Sequence, residues 1–326
     1  MNERSTQKLN TNLQHLNNYF PDLIGQNAVK RKLSFYIDAF NKTGVCPFLL
    51  LTGAKGLGKT EFAKGFAKNL YNNDGTKRNF LELNCSTIKN NEQFFEQIFL
   101  PLIADNEITI LLDECHALPK DLTMAFLTVF NTETKTKKTF EWNEMSFDFD
   151  FKKQTFIFAT TESDQIFPPL KDRLTNVDFE PYSENELGQI LKLCAPKATI
   201  SDECLKEVST SVRNNARNAV MRAKEISLYC GAKEKYFFSL KDFKDLCKNV
   251  SILPLGLTYT EKQILEVLNK HGSATLTGLA AKLGLSKTSI QKDHELYLLN
   301  KNLIEIDGKR KITSEGIKVC KQLENI

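Results

Sequence analysis

The feature that most constrains this chain is the glycine-rich segment Gly53–Thr60, which reads Gly-Ala-Lys-Gly-Leu-Gly-Lys-Thr. An apolar run, Phe48–Thr52, precedes it, and apolar residues with helical spacing follow over Glu61–Leu70. Strand, glycine-rich turn and helix in this order are the context in which Gly-x-x-x-x-Gly-Lys-Thr binds phosphate. The glycines let backbone N–H groups turn inward, and the helix N-terminus adds a favourable dipole. We therefore predict that a nucleotide's phosphates are bound by Gly53, Gly56, Gly58, Lys59 and Thr60.

A second apolar strand brings the acidic groups that such a site needs. Ile108–Leu112 is rich in β-branched residues and is followed at once by Asp113 and Glu114. Beside a phosphate-binding loop, Thr60 and Asp113 are expected to bind Mg²⁺, while Lys59 contacts the β- and γ-phosphates. Glu114 is then expected to polarise the attacking water. The residues predict an ATP hydrolase that uses ATP and Mg²⁺.

The composition restricts the broad class of protein. The 326 residues are 41% hydrophobic and 26% charged, enough for two or three domains with real cores. No apolar run is long enough to span a bilayer, and no apolar signal region follows the N-terminus, so we expect a cytoplasmic protein without membrane contact. Eight scattered cysteines without metal-site spacing indicate reduced thiols, and no second ligand accompanies His116, which we interpret as structural. A net charge of +4 permits nucleic-acid binding without arguing for it.

Short motifs occur in an order that resembles the RuvB family of AAA+ ATPases. They are Ile24-Gly-Gln, Gly53–Thr60, Asp113-Glu114, Ala159-Thr-Thr161 and Pro169-Leu-Lys-Asp-Arg173, and the resemblance runs from about Leu16 to the C-terminus. It implies an α/β fold: an AAA+ P-loop ATPase domain with a parallel sheet, a small α-helical lid and a C-terminal winged helix. The expected boundaries are a polar N-terminal segment at 1–19, the ATPase domain at 20–180, the lid at 181–254 and the winged helix at 255–326.

The resemblance also implies roles for residues outside the glycine-rich segment and the acidic pair Asp113-Glu114. Thr161 falls at the sensor-1 position, where a polar side chain helps to hold the attacking water. Arg173, after a stiff proline turn, falls at the arginine finger, which stabilises transition-state charge in a neighbouring subunit's site. Arg217 falls at sensor 2 of the lid, and Ile24 and Tyr182 are expected to flank the adenine. Each residue alone has a plainer reading, such as a strand end or a solvated charge.

Some positions depart from the family pattern. Ala54 and Lys55 stand where the family usually has two prolines, and the segment after Glu114 lacks the arginine commonly found there. An Arg-Pro pair that is usual near the N-terminus is absent. These departures spare the chemistry and leave open whether the chain is a housekeeping motor or a divergent relative.

The segment Thr139–Phe151 alternates apolar and polar residues as a strand does. It lies where the family inserts a β-hairpin that docks RuvA. Trp142, Met145 and Phe147 are the candidate contacts with such a partner, since exposed aromatic residues make good anchors. An ordinary strand with its phenylalanines in the core is the other interpretation, and the pattern leaves both open.

The C-terminal third predicts helices and then a winged helix. Ser183 and Glu186 have the spacing of a capping box, which begins the lid helices. Further on, a helix-turn-helix pattern ends in a helix over 287–300, and a hairpin over 303–312 has a basic tip. The candidate DNA contacts are Lys287, Thr288, Lys309, Arg310 and Lys311. Winged helices also dock proteins, and this alternative stays open.

These features predict an ATP-dependent translocase that acts on double-stranded DNA or a four-way junction. The family resemblance implies a homo-oligomeric ring of six subunits, in which Arg173 of one subunit completes its neighbour's site. It also implies a RuvA-like partner. One alternative is a clamp-loader-like or regulatory ATPase that remodels a protein partner. Another is a transcription regulator that uses the winged helix with ATP as a signal.

Overall fold

The computed structural model describes residues 19–131 and 136–324, so the polar segment expected at 1–19 lies outside it except for Tyr19. The chain divides into two compact units. The first runs to Tyr182 and includes Asn215–Arg217, and the second comprises Ser183–Asn214 and Asn218–Ile326. In the described part of the chain, no helix is both long and apolar enough to span a bilayer.

The first unit is built on a five-stranded parallel sheet. Its elements in chain order are α1 (Asn27–Thr43), β1 (Leu49–Thr52), α2 (Lys59–Ala67), β2 (Asn79–Asn84), a π-helix (Gln93–Ile103), β3 (Ile108–Asp113), α3 (Lys120–Val129), β4 (Lys137–Trp142), β5 (Met145–Asp150), β6 (Gln154–Thr160), α4 (Pro168–Lys171) and β7 (Thr175–Asp178). The strand order is β2-β3-β6-β1-β7, with every pair parallel. This architecture confirms the predicted α/β class with a parallel sheet.

The sheet places the predicted catalytic groups at one edge. β1 and β6 are buried along their whole length, and β3 is buried up to its last residue, as expected for central strands covered on both faces. Thr52 at the end of β1 pairs with Thr160 at the end of β6, and Asp113 ends β3 beside them in the sheet order. Because parallel strands end at the same edge, the polar residues after them converge there, where ligands bind in such sheets.

The hairpin of β4 and β5 packs its aromatic face into the core. Trp142 pairs with Met145 across a turn whose two residues both have positive φ, and Phe147 is only 1% exposed. The Phe147 ring lies 4.7 Å from that of Phe95 in the π-helix. The prediction that Phe147 contacts a partner is therefore wrong, because its alternating position faces inward. Trp142 is half-buried and Met145 is exposed, so both remain predictions.

The second unit contains the lid helices and the winged helix. Its elements are α5 (Glu184–Cys194), β8 (Thr199–Ile200), α6 (Asp202–Thr210), α7 (Ala216–Ala232), β9 (Phe237–Phe238), α8 (Leu240–Asn249), α9 (Tyr259–His271), β10 (Ser273–Ala274), α10 (Leu276–Leu283), α11 (Lys287–Ser289), a π-helical turn (Ile290–Glu295), α12 (Leu296–Asn300), β11 (Ile304–Asp307), β12 (Lys309–Ile312) and α13 (Ser314–Leu323). The first residues of α7 cluster with the first unit. Ser183 and Glu186 form the predicted capping box of α5.

The C-terminal part of this unit has its own core. Leu265 and Leu268 of α9, Leu298 of α12 and Val319 of α13 pack together in it. Three short strands, in the order β10-β12-β11, complete the winged helix. This arrangement confirms the predicted winged-helix fold.

Candidate active site

The glycine-rich loop is supported from the start of α7. Gly56 has a φ of 83°, and a Cβ atom built on it would lie 2.2 Å from Oδ1 of Asn215. The Asn215 side-chain amide donates to the Lys55 carbonyl at 2.8 Å, and the backbone N–H of Arg217 donates to the Gly56 carbonyl at 3.3 Å. A residue other than glycine would therefore be strained at position 56 and would displace Asn215.

Lys59 begins α2 and extends back over the loop. Its side chain is buried, and Nζ donates to the carbonyls of Gly53 and Ala54 at 2.7 and 3.1 Å. Burial lowers the pKa of the Lys59 ammonium, and the carboxylates of Glu114 and Asp113 partly oppose that shift. A buried cation held mainly by carbonyls is complementary to an added anion, so the site suits a phosphate.

The Thr60 hydroxyl and the Asp113 carboxylate are in contact next to the glycine-rich loop. Thr60 Oγ1 donates to Asp113 Oδ2 at 3.0 Å, while Asp113 Oδ1 accepts from the backbone N–H of Glu114 at 2.9 Å. Within residues 19–131 and 136–324, no group of three or more His, Cys, Asp or Glu side chains could hold a metal. One hydroxyl and one carboxylate are the sparse oxygen set typical of Mg²⁺ held jointly with phosphates and water. The residues therefore fit the cation.

Glu114 is positioned by its backbone and by β6. Its φ of 51° is left-handed, a conformation that costs a non-glycine residue about 1 kcal/mol or more. Thr161 Oγ1 donates to Glu114 Oε2 at 3.1 Å. The predicted water-polarising residue and the predicted sensor are thus in direct contact.

Of the two predicted adenine neighbours, Tyr182 contacts the glycine-rich loop directly. The buried Tyr182 hydroxyl donates to the Leu57 carbonyl of the glycine-rich loop at 3.0 Å. Ile24 is half-buried and lies two residues before Gln26, whose side-chain amide bonds the backbone of Glu180 at 2.6 and 3.1 Å. Gln26 therefore fixes the chain that precedes α1 to the chain that leads into Tyr182.

The two predicted arginines differ in their surroundings. Arg217 lies beside the phosphate-binding loop, since its backbone N–H donates to the Gly56 carbonyl at 3.3 Å. Arg173 follows α4 and is half-buried, and its Nη1 donates to the Pro169 carbonyl. Its Nε is buried with no hydrogen-bond partner among the described residues. None of the hydrogen bonds found there for Arg173 reaches the loop or the strand-end acids.

The candidate DNA contacts of the winged helix separate into exposed and buried groups. Lys287 and Thr288 are exposed at the start of α11, and Lys309 is exposed on β12. Lys311 is half-buried and pairs with Asp307 at 3.2 Å. Arg310 is 8% exposed and faces inward, so the prediction that it contacts DNA phosphate is wrong.

Comparison with known proteins agrees with this arrangement. Residues 49–182 match the profile "ATPase family associated with various cellular activities (AAA)", and residues 254–321 match the "RuvB C-terminal winged helix domain". In both its ATPase domain and its winged helix, the chain is similar to the RuvB family. It contains the AAA ATPase domain of ATP-hydrolysing enzymes, joined to a winged helix of the RuvB type.

Curated RuvB proteins match over most of their length. The "Holliday junction branch migration complex subunit RuvB" of Mycoplasma genitalium is 25% identical over 92% of this chain and 95% of that protein. The protein of the same name from Campylobacter curvus is 27% identical over 91% of this chain and 87% of its own. Among solved structures, the Thermotoga maritima RuvB Holliday junction branch migration motor superposes with a TM-score of 0.72. It is 23% identical and covers 91% of this chain and 95% of that one, a likeness of fold.

Three side chains of this site are not predicted as functional from the sequence. They are Gln26, His116 and Asn215, which contact the segment before Tyr182, the carboxylate of Glu114 and the glycine-rich loop. Gln26 and Asn215 lie far along the chain from what they contact, and no local pattern marks them. His116 is only two residues from Glu114, and this short spacing indicates from the sequence that the two side chains can meet.

Proposed function

We propose that this chain is an ATP-driven ring motor that translocates double-stranded DNA and drives branch migration of Holliday junctions. The observation that carries the proposal is the union, in one chain, of an AAA ATPase domain with a RuvB-type winged helix. Relatives named as subunits of the Holliday junction branch migration complex match nearly the whole chain.

The geometry of the strand ends supports ATP hydrolysis. Lys59 and the inward N–H groups of the glycine-rich loop bind and orient the phosphates. Thr60 and Asp113 would hold Mg²⁺, which neutralises developing phosphate charge when bound. Glu114 uses Oε1 to accept a hydrogen bond from the attacking water, because Oε2 already accepts from Thr161.

The remaining site residues complete the nucleotide contacts in this proposal. Arg217, whose backbone N–H bonds the Gly56 carbonyl of the loop, contributes positive charge near the phosphates. Ile24 and Tyr182 flank the base. Arg173 acts in the site of the next subunit, which is consistent with its lack of hydrogen bonds to its own loop. A site completed in this way requires a neighbouring subunit, and the assembly proposed here is a closed ring of six subunits.

The exposed surfaces fit the partners that this function needs. Lys287, Thr288 and Lys309 contact DNA phosphates without reading sequence, as a translocating motor requires, and Lys311 assists them. Trp142 and Met145, at the end of the hairpin of β4 and β5, provide an apolar tip for a RuvA-like partner.

The decisive experiment is branch migration of a synthetic four-way junction with ATP and Mg²⁺, with and without a RuvA protein. We expect ATP-dependent conversion to duplex products and ATP turnover that rises with DNA. Turnover that responds to a protein partner but not to DNA would instead support a remodelling ATPase. A footprint at one defined sequence without movement would support a transcription regulator.

A further inference from the structure

His116 lies between the two strand ends that carry the predicted catalytic groups. It belongs to the short helix Cys115–Ala117 after β3, and its side chain is 16% exposed. Its Nδ1 lies 2.9 Å from Thr160 Oγ1 and 3.5 Å from Glu114 Oε2. Its Nε2 lies 3.7 Å from Glu162 Oε1. One ring therefore meets polar groups from both strands.

The contacts converge on a single oxygen of Glu114. The Thr161 hydroxyl donates a hydrogen bond to Oε2, and Nδ1 of His116 lies close to the same oxygen. With Oε2 flanked in this way, rotation of the carboxylate is restricted, which also fixes the direction of Oε1. Hydrolysis is sensitive to such orientation, since a misplacement of 1 Å costs about a hundredfold in rate.

Packing alone does not explain where the imidazole lies. His116 lines a cavity of about 190 Å³, together with Met124, Gln165 and Phe167, so there is space beside the ring. The fully buried Thr160 hydroxyl accepts from the backbone N–H of Glu162 at 2.9 Å and meets His116 Nδ1 at the same distance. Polar contacts therefore determine the ring's position.

We propose that His116 is a positioning residue, which holds the Glu114 carboxylate in the orientation that hydrolysis requires. The inference rests on ATP hydrolysis as part of the proposed function. The polar atom at the Nδ1 position carries the effect, through its contacts with Thr160 and Glu114. Its role as donor or acceptor depends on the tautomer, and a side-chain amide can supply either.

Three substitutions separate this role from a packing role. His116→Asn keeps a polar atom near the Nδ1 position, His116→Gln moves it outward, and His116→Leu fills the space without one. We expect the Leu and Gln variants to lose at least about tenfold in kcat, while KM for ATP changes less than about twofold. His116→Asn should retain most of the turnover. His271→Asn, at an exposed histidine at the end of α9, is the matched control.

The outcomes are decisive in either direction. A Leu variant with wild-type kcat, or three variants that lose activity equally with a common fall in Tm, would overturn the inference. If the Leu variant does not fold, the comparison of Asn with Gln still decides. Basal ATP turnover is measured without a junction, so a wild-type protein that hydrolyses ATP but does not move junctions contradicts only the proposed motor. A wild-type protein without turnover, alone or with DNA, overturns both.

Discussion

Arg310 of β12 and Glu295, the last residue of the π-helical turn, form a buried ion pair with two hydrogen bonds. Nε donates to Oε1 at 2.7 Å, and Nη2 donates to Oε2 at 3.0 Å. The hydrogen bond to Glu295 raises the pKa of Arg310 above its ordinary value. The pair fixes the wing to the helix that begins at Lys287, so Arg310 serves the fold while its neighbours face solvent.

Removing Arg310 should destabilise the winged helix. Arg310→Ala leaves the Glu295 carboxylate buried without a partner, and we expect a loss of about 3–5 kcal/mol. Urea unfolding followed by circular dichroism measures this loss. Lys309→Ala, at the exposed neighbour, should stay within about 0.5 kcal/mol. A stable Arg310→Ala protein with weakened DNA binding would show that Arg310 reaches phosphate after all.

The exposed lysines should determine the salt dependence of DNA binding. Lys287→Ala and Lys309→Ala each remove one phosphate contact, so each should reduce the slope of log K against log salt by about 1. Fluorescence anisotropy with a labelled four-way junction gives the slope. Lys318→Ala, in the surface pair with Glu315, should leave it unchanged. An unchanged slope in the first two variants would exclude these residues from the DNA surface.

Arg173 should act only between subunits. Arg173→Ala rings are expected to lose about 10³-fold or more in turnover, since an arginine finger contributes 10³–10⁵. Lys59→Ala rings should also be inactive, because they do not hold the phosphates. Mixing the two should restore part of the activity, since a Lys59→Ala subunit still offers its Arg173 to an intact loop next to it. No recovery in mixed rings of verified composition would contradict a finger supplied in trans.

Asn215 should influence ATP binding more than the chemical step. Asn215→Ala removes the hydrogen bond to the Lys55 carbonyl, a loss of about 1 kcal/mol, and should raise KM for ATP about fivefold with kcat little changed. Steady-state ATPase assays measure both constants. The exposed Asn249 provides the control substitution to alanine. A fall in kcat at constant KM would mean that Asn215 acts on the transition state instead.

Asp242 should make the stability of the lid depend on acidity. Burial opposes its ionisation, but hydrogen bonds from Lys235 and Ser239 outweigh that effect and lower the pKa of Asp242 from 3.8 to about 2. Because the folded pKa is depressed, the stabilisation is complete above about pH 4 and is lost as the pH falls towards 2. Asp242→Asn should therefore cost on the order of 1–2 kcal/mol at pH 7.

The measurement is urea unfolding of both proteins between pH 7 and pH 2.5. The difference between wild type and Asp242→Asn should narrow steadily below pH 4. Glu203→Gln, at an exposed carboxylate at the start of α6, is the control. A difference that stays constant across this range would assign the effect to lost cap geometry and not to charge.

The parts of the site that sequence predicted are those encoded in short contiguous runs. Gly53–Thr60 and Asp113-Glu114 each lie where one strand ends, and parallel strands bring such ends together whatever the connecting loops do. The contact of Asn215 with Lys55 spans 160 residues and depends on how the start of α7 packs, which no local pattern encodes.

The predictions for Arg310 and Phe147 are wrong because they rest on residue type and neglect the alternation of side chains along a strand. The run Lys309-Arg-Lys311 predicts a basic tip, but successive strand residues face opposite sides and Arg310 is the inward one. Phe147 is predicted to contact a partner together with Trp142 and Met145, but the hairpin's alternation places it on the buried phenylalanine face. In both cases the two-residue period of a strand predicts which side chain faces the core.

The left-handed backbone of Glu114 affects how this chain tolerates change. Glycine adopts that conformation without strain, so Glu114→Gly would relieve the local backbone while removing the carboxylate. The residue with the least backbone strain at this position is therefore one that cannot activate water. Activity and stability thus favour different amino acids here. A search for more thermostable variants that ignores turnover would select inactive proteins at this position.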